Sequence, residues 1–100
     1  MGKEAVRRWQ TTDSLRLRWR CWDNEHIAFN CNSGDIHLLN PIAAEALKSL
    51  QRSAFSVDGL VQSISESLNI ANDSDLYHNV HQFVLKLARL GLVHPVDDSC

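Results

Sequence analysis

The run Ser33-Gly34-Asp35-Ile36-His37-Leu38-Leu39-Asn40-Pro41-Ile42-Ala43-Ala44-Glu45-Ala46-Leu47 passes from a turn to an apolar strand and then almost directly into a helix. Asn40 can cap that helix and Pro41 suits its first position, so little chain separates the two elements. Within a few residues the apolar period changes from two to about 3.6. This junction organises the domain, and its strand is the candidate functional surface.

Upstream, Leu15, Leu17, Trp19 and Cys21 alternate with Arg16, Arg18 and Arg20, the pattern of a half-buried strand. A second strand is expected at about His26 to Cys31, where Ile27, Phe29 and Cys31 share a parity. A three-residue loop, Asp23-Asn24-Glu25, brings Trp19 opposite Phe29 and Cys21 opposite Ile27. The third strand covers about Asp35 to Leu39. Either Ile36 with Leu38 or His37 with Leu39 faces the core.

Three helices follow. The first runs from Pro41 to about Arg52, with Ile42, Ala43, Ala46, Leu47 and Leu50 inward. The second starts after Ser56 and carries the stripe Val57, Leu60, Val61, Ile64 and Leu68. The third runs from about Asp75 to Leu90, capped by Asp73 or Ser74 and ended by Gly91, with Leu76, Val80, Phe83, Val84, Leu87 and Leu90 as its main apolar face. Leu92-Val93 returns to the core. The expected fold is α+β, a three-stranded antiparallel meander followed by three helices. Its boundaries are a flexible N-terminal arm over 1–13, with Trp9 docking on the domain, a folded unit over 14–94 and a tail over 95–100.

A chain of 100 residues makes one domain. No run of eighteen apolar residues exists to span a membrane, and the N-terminus lacks an apolar signal core, so the expected setting is cytoplasmic. Val6 stands where a myristoylation motif after Gly2 wants Ser or Thr. Cys21, Cys31 and Cys100 are an odd number of cysteines, read as free thiols.

Catalytic and metal chemistries find little support. His78 and His81 lie three apart on a helix, but no Cys-x-x-Cys or His-Glu-x-x-His accompanies them. Ser33-Gly34 is not a nucleophile elbow, and Gly34 and Gly59 are isolated, so no phosphate-cradling loop is formed. No catalytic residue, metal ligand or cofactor is therefore assigned. Two binding functions remain. In a meander the first and third strands are edges; the first is guarded by arginines, whereas the third carries only Asp35 and His37. That third edge is either open to an extended peptide or covered by the third helix or the tail. Tyr77, His81, Leu85 and Ala88 fall outside the helix's core stripe, so they either line a groove or belong to a wide core face. The alternative is a winged-helix nucleic-acid binder. It is disfavoured because the third helix offers only Lys86 and Arg89 as cations on a chain of net charge −2.

The residues Ser33 to Pro41, then Ala43-Ala44-Glu45-Ala46-Leu47, and finally Phe83-Val84 with Leu87 and Leu90-Gly91-Leu92-Val93, give the chain a resemblance to the PqqD-like peptide chaperones, or precursor-peptide recognition elements. It is most similar to the branch named the HPr-rel-A system PqqD family. The resemblance implies a winged-helix-like, non-catalytic domain that binds a ribosomally made precursor peptide and presents it to a modifying enzyme. In this branch the neighbouring genes encode kinase-like and nucleotidyltransferase-like proteins. The family's ligand lies along the third strand beside the third helix. By position this selects Asp35, Ile36, His37, Leu38 and Leu39, with Tyr77, His81, Leu85 and Ala88.

Overall fold

Each helix begins where a polar side chain accepts from amides that the helix itself leaves unpaired. In the computed structural model, which describes residues 7–12, 15–23 and 25–96, Asn40 Oδ1 accepts from Ala43 N–H at 2.8 Å. Ser56 Oγ accepts from Gly59 N–H at 3.0 Å and Asp73 Oδ1 from Leu76 N–H at 2.9 Å. The elements in chain order are β1 (Arg8–Thr11), β2 (Leu17–Trp22), β3 (Glu25–Asn30), β4 (Ile36–Leu39), α1 (Pro41–Arg52), β5 (Phe55–Ser56), α2 (Val57–Leu68), α3 (Ser74–Arg89) and β6 (Val93–Val96). Strands β2, β3 and β4 form an antiparallel meander, and β5, β1 and β6 a second small sheet. The architecture is α+β and compatible with a winged-helix-like domain.

The helices carry the core. Leu47 and Leu50 of α1, Leu60, Val61 and Ile64 of α2, and Val80 and Val84 of α3 are all buried. Such side chains contribute on the order of 1.5–3 kcal/mol each by leaving water. The meander's only fully buried apolar side chain among the described residues is Ala28. Its half-buried Leu17, Trp19 and Leu39 pack against the helical core without being enclosed by it. The meander is therefore a thin wing resting on a helical body.

Two expectations at the chain ends are corrected. Within the stretch read as a loose arm, Arg8–Thr11 is a strand, paired with β6 along its length (Arg8 opposite Val96, Thr11 opposite Val93) and with β5 at Trp9–Phe55. Trp9 and Thr11 point inward and are buried, so Trp9 does dock, but as part of a sheet. With only two inward residues, this strand is too short to show a period. Likewise Pro95 and Val96 belong to β6, not to a tail. Residues 1–6, 13, 14, 24 and 97–100 lie outside the described residues, and with them the Gly2 motif and Cys100.

The hairpin register also differs. Trp19 faces Ala28, Cys21 faces His26, and Trp22 faces Glu25, which leaves a two-residue connection. Asp23 takes the left-handed conformation that such a tight turn requires (φ 55). One residue fewer in the loop shifts the pairing by one, which puts Phe29 and Ile27 on the opposite face from Trp19. Trp19 is held inward by Nε1–H donating to Gln51 Oε1 at 3.1 Å and by Lys48 Nζ, 5.0 Å from the ring centroid.

Candidate functional site

Strand β4 is set in place by a closed turn on one side and a helix cap on the other. Asn30 N–H donates to Asp35 C=O and Gly34 N–H to Asn30 C=O, both at 2.8 Å. Asn30 Oδ1, on a buried residue, accepts from Asn32 N–H at 2.9 Å and Ser33 N–H at 3.3 Å. Gly34 supplies the left-handed residue the turn needs (φ +85). Asp35 Oδ2 accepts from Ser33 Oγ at 3.0 Å, so Asp35 belongs to the turn and leads into β4. Five residues after Asp35, Asn40 caps α1. The strand has no slack at either end.

The ladder determines which backbone groups are free. Asn30 and Asp35 are opposite one another and hydrogen-bonded. In an antiparallel pair bonded and non-bonded positions alternate, so His37 and Leu39 direct their N–H and C=O toward β3, whereas Ile36 and Leu38 direct theirs outward. Among the described residues no strand pairs with this outer edge. The parity left open by the sequence is resolved too. His37 and Leu39 face inward and are half-buried; Ile36 and Leu38 are 63% and 68% exposed.

A groove of about 250 Å³ runs between β4 and α3. Ile36 to Leu39 form one wall, Phe83, Lys86, Leu87 and Leu90 the other, and Leu47 of α1 also lines it. Lys86 is the only Lys, Arg, Asp or Glu among these residues. His37 lines the groove, and its Nε2 is buried with no hydrogen-bond partner. Leu90, expected in the core, is 53% exposed; it is the C-cap residue of α3, just before Gly91.

The structure does not bring the sequence-selected helix residues to this groove. Tyr77, His81 and Leu85 line a separate cavity of about 330 Å³ with Arg7, Trp9, Ser56, Val57 and Asp58. The Tyr77 and His81 rings lie 5.8 Å apart there. Leu85 and Ala88 are half-buried and packed against the core. The flank of α3 that meets β4 is the one bearing Phe83, Lys86 and Leu90. The sequence pattern puts Phe83 and Leu90 on the core face; Phe83 does pack against the core while also lining the groove, and the one signal that could place Leu90 in a groove is its position at the C-terminal end of α3.

Among the described residues no three His, Cys, Asp or Glu side chains converge to hold a metal ion, and no helix is long and apolar enough to cross a membrane. Cys21 and Cys31 are free and exposed. The family model for coenzyme PQQ synthesis protein D (PqqD) matches residues 25–93, from the first residue of β3 to the first of β6. The chain belongs to the PqqD family. Comparison with curated proteins and with solved structures gives no match. PqqD-family members are non-catalytic accessory chaperones that bind a precursor peptide and a partner enzyme in the making of ribosomally synthesised, modified peptides. The β4 edge and its groove both lie inside the matched region; β1 and β2 do not.

Proposed function

We propose that this chain receives an extended segment of a precursor peptide as a fourth strand on the outer edge of β4 and presents it to a modifying enzyme. The observation that carries the reading is the edge at Ile36 and Leu38, unpaired among the described residues and bordering an apolar groove. Main-chain hydrogen bonds to those two residues supply affinity, and alternate side chains of the guest enter the groove and supply selectivity. Of the sequence-selected residues, the proposal keeps Asp35 to Leu39. On the helix side it takes Phe83, Lys86, Leu87 and Leu90 in place of Tyr77, His81, Leu85 and Ala88. Lys86 favours a guest carrying a carboxylate near the middle of the groove.

The finer assignment follows the resemblance. The chain acts in the HPr-rel-A branch, and its partner enzyme is kinase-like or nucleotidyltransferase-like. The nucleic-acid alternative finds no added support, since one of the two cations of α3, Lys86, lines the apolar groove.

The test is a titration with a candidate precursor peptide encoded beside the gene, followed by amide chemical shifts. Ile36 and Leu38 should respond most among the strand amides. Leu38→Pro removes an outward donor while leaving the β3 ladder intact. Loss of that bond and obstruction by the ring should lower affinity at least about tenfold. Unchanged affinity in a folded Leu38→Pro variant rules out strand addition.

A further inference from the structure

The outer face of the meander carries a pattern that peptide capture at the β4 edge does not use. Across the strands the register aligns Arg18 with Phe29 and Ile36, and Arg20 with Ile27 and Leu38. Each row therefore runs from a guanidinium on β2 through an apolar side chain on β3 to an aliphatic one on β4. Trp22, 70% exposed, stands at the turn end of the same face opposite Glu25. Of the seven large hydrophobic side chains exposed among the described residues, Trp22, Phe29, Ile36 and Leu38 gather here. A scattering of single surface hydrophobics needs no account, but four gathered on one face of a three-stranded sheet mark an interaction surface. A depression of about 500 Å³ crosses it, lined by Arg18, Arg20, Ile27, Phe29 and Ile36 among others.

We infer that this face docks one amphipathic helix of another protein, with an apolar stripe and a row of Asp and Glu along one flank. The dimensions agree. Neighbouring strands are about 4.8 Å apart, so β2 and β4 are separated by about 10 Å, the width of one helix. Laid along β3, such a helix sets its stripe on Ile27, Phe29, Ile36 and Leu38 and one acidic flank over Arg18 and Arg20. Charge decides among occupants. A second copy of this chain brings the same two arginines, with Glu25 as the sole carboxylate in these rows to meet them. A phosphate backbone finds no partner over β3 and β4. A lipid surface calls for cations around an apolar patch, whereas here they form one column at its side. The arginine column lies on β2, outside the region the family model matches, so the family match does not account for it. The inference stands whether or not a strand adds to β4.

The experiment is a selection on the full-length chain from a displayed library of ~18-residue helices (about five turns). Each has leucine on one face and flanks randomised among acidic, basic and neutral residues. Enriched helices should carry Asp or Glu along one flank. Arg18→Glu with Arg20→Glu should weaken them at least tenfold and favour basic flanks instead. Because β2 lies at the far edge from the groove, the same arginine variant should retain precursor binding at β4, which separates failure of this inference from failure of the edge reading. Enrichment of neutral or basic flanks, no enrichment above background, or indifference to the arginine substitutions overturns the proposal. So does an Arg18- and Arg20-dependent affinity for phosphatidylglycerol vesicles or a DNA duplex, or a dimer in sedimentation that Phe29→Asp dissociates.

Discussion

Helix α3 borders two cavities of similar size, about 250 Å³ beside β4 and about 330 Å³ on the side of β1. Both have an α3 wall and a strand close by. They differ in the state of that strand. β1 is the central strand of its sheet, bonded to β5 on one side and β6 on the other, so at Arg8 and Trp9 the ladder is closed on both sides. β4 is bonded only to β3 among the described residues, and Ile36 and Leu38 turn their amides and carbonyls outward. Cavity volume alone does not distinguish the two flanks. Backbone satisfaction does: strand addition needs an unpaired row of donors and acceptors, and only the β4 side has one.

The hardest blow to the β1 side is Trp9→Ala. Trp9 is buried in the core and also lines the cavity with Tyr77, His81 and Leu85. Replacing a buried tryptophan by alanine costs about 3–5 kcal/mol. That is a large share of the roughly 5–15 kcal/mol available to a domain of this kind. Urea denaturation should show it as a shift of midpoint. Precursor affinity of the fraction that stays folded should be unaffected, because Trp9 does not line the β4 groove. A loss below about 1 kcal/mol shows that β1 is dispensable and that the two flanks are less unlike than the sheet order implies.

The same contrast explains what could be read from the sequence. The α2 stripe Val57, Leu60, Val61, Ile64 and Leu68 was legible because five apolar positions at helical spacing admit one inward face; the first four are buried and Leu68 is half-buried against the core. The caps Asn40 and Ser56 were legible because their side-chain chemistry acts locally, and the same chemistry narrowed the α3 cap to Asp73 or Ser74, of which Asp73 is the cap. The hairpin register was not. Asp23 in the left-handed region shortens the loop by one residue, and nothing within either strand reports that. The apolar outer face is hidden by the same slip, since a three-residue loop puts Phe29 on the face of the inward Trp19, whereas the actual register sets it opposite Arg18. On α3 the angular spacing sets the flank Tyr77, His81 and Leu85 apart from the spine; in the structure they line one cavity, with Leu85 also packed against the core. Which neighbour that flank meets depends on β1, about seventy residues away along the chain, whose two inward residues carry no periodic signal. Long-range pairing, and not local propensity, was the missing information.

Leu85→Asp puts the flanks against each other directly. Leu85 is half-buried and packed against the core, so a carboxylate there loses apolar contact and some hydration. A destabilisation of about 1–3 kcal/mol is expected, smaller than for Trp9 because the side chain keeps partial access to water. Binding at β4 should not change. If stability holds while affinity for the precursor peptide falls tenfold, the guest runs along the Tyr77–Leu85 flank and the assignment of grooves is exchanged.

The gentlest probe is Leu90→Ala on the other flank. Leu90 is 53% exposed, so it gives the fold little to lose, and stability should move by no more than about 0.5 kcal/mol. A guest strand in the groove would cover the exposed half. Fully burying a leucine contributes about 1.5–3 kcal/mol, and half of that is on the order of 1 kcal/mol, or roughly fivefold in affinity. Alanine is the better choice than aspartate here, because a carboxylate four residues from Lys86 and at the helix C-terminus adds charge effects of similar size. Isothermal titration of the two variants side by side gives the discriminating result. Leu90→Ala should lose affinity with stability intact, and Leu85→Asp should lose stability with affinity intact. The reverse pattern would mean that the open β4 edge is not what selects the binding flank of α3.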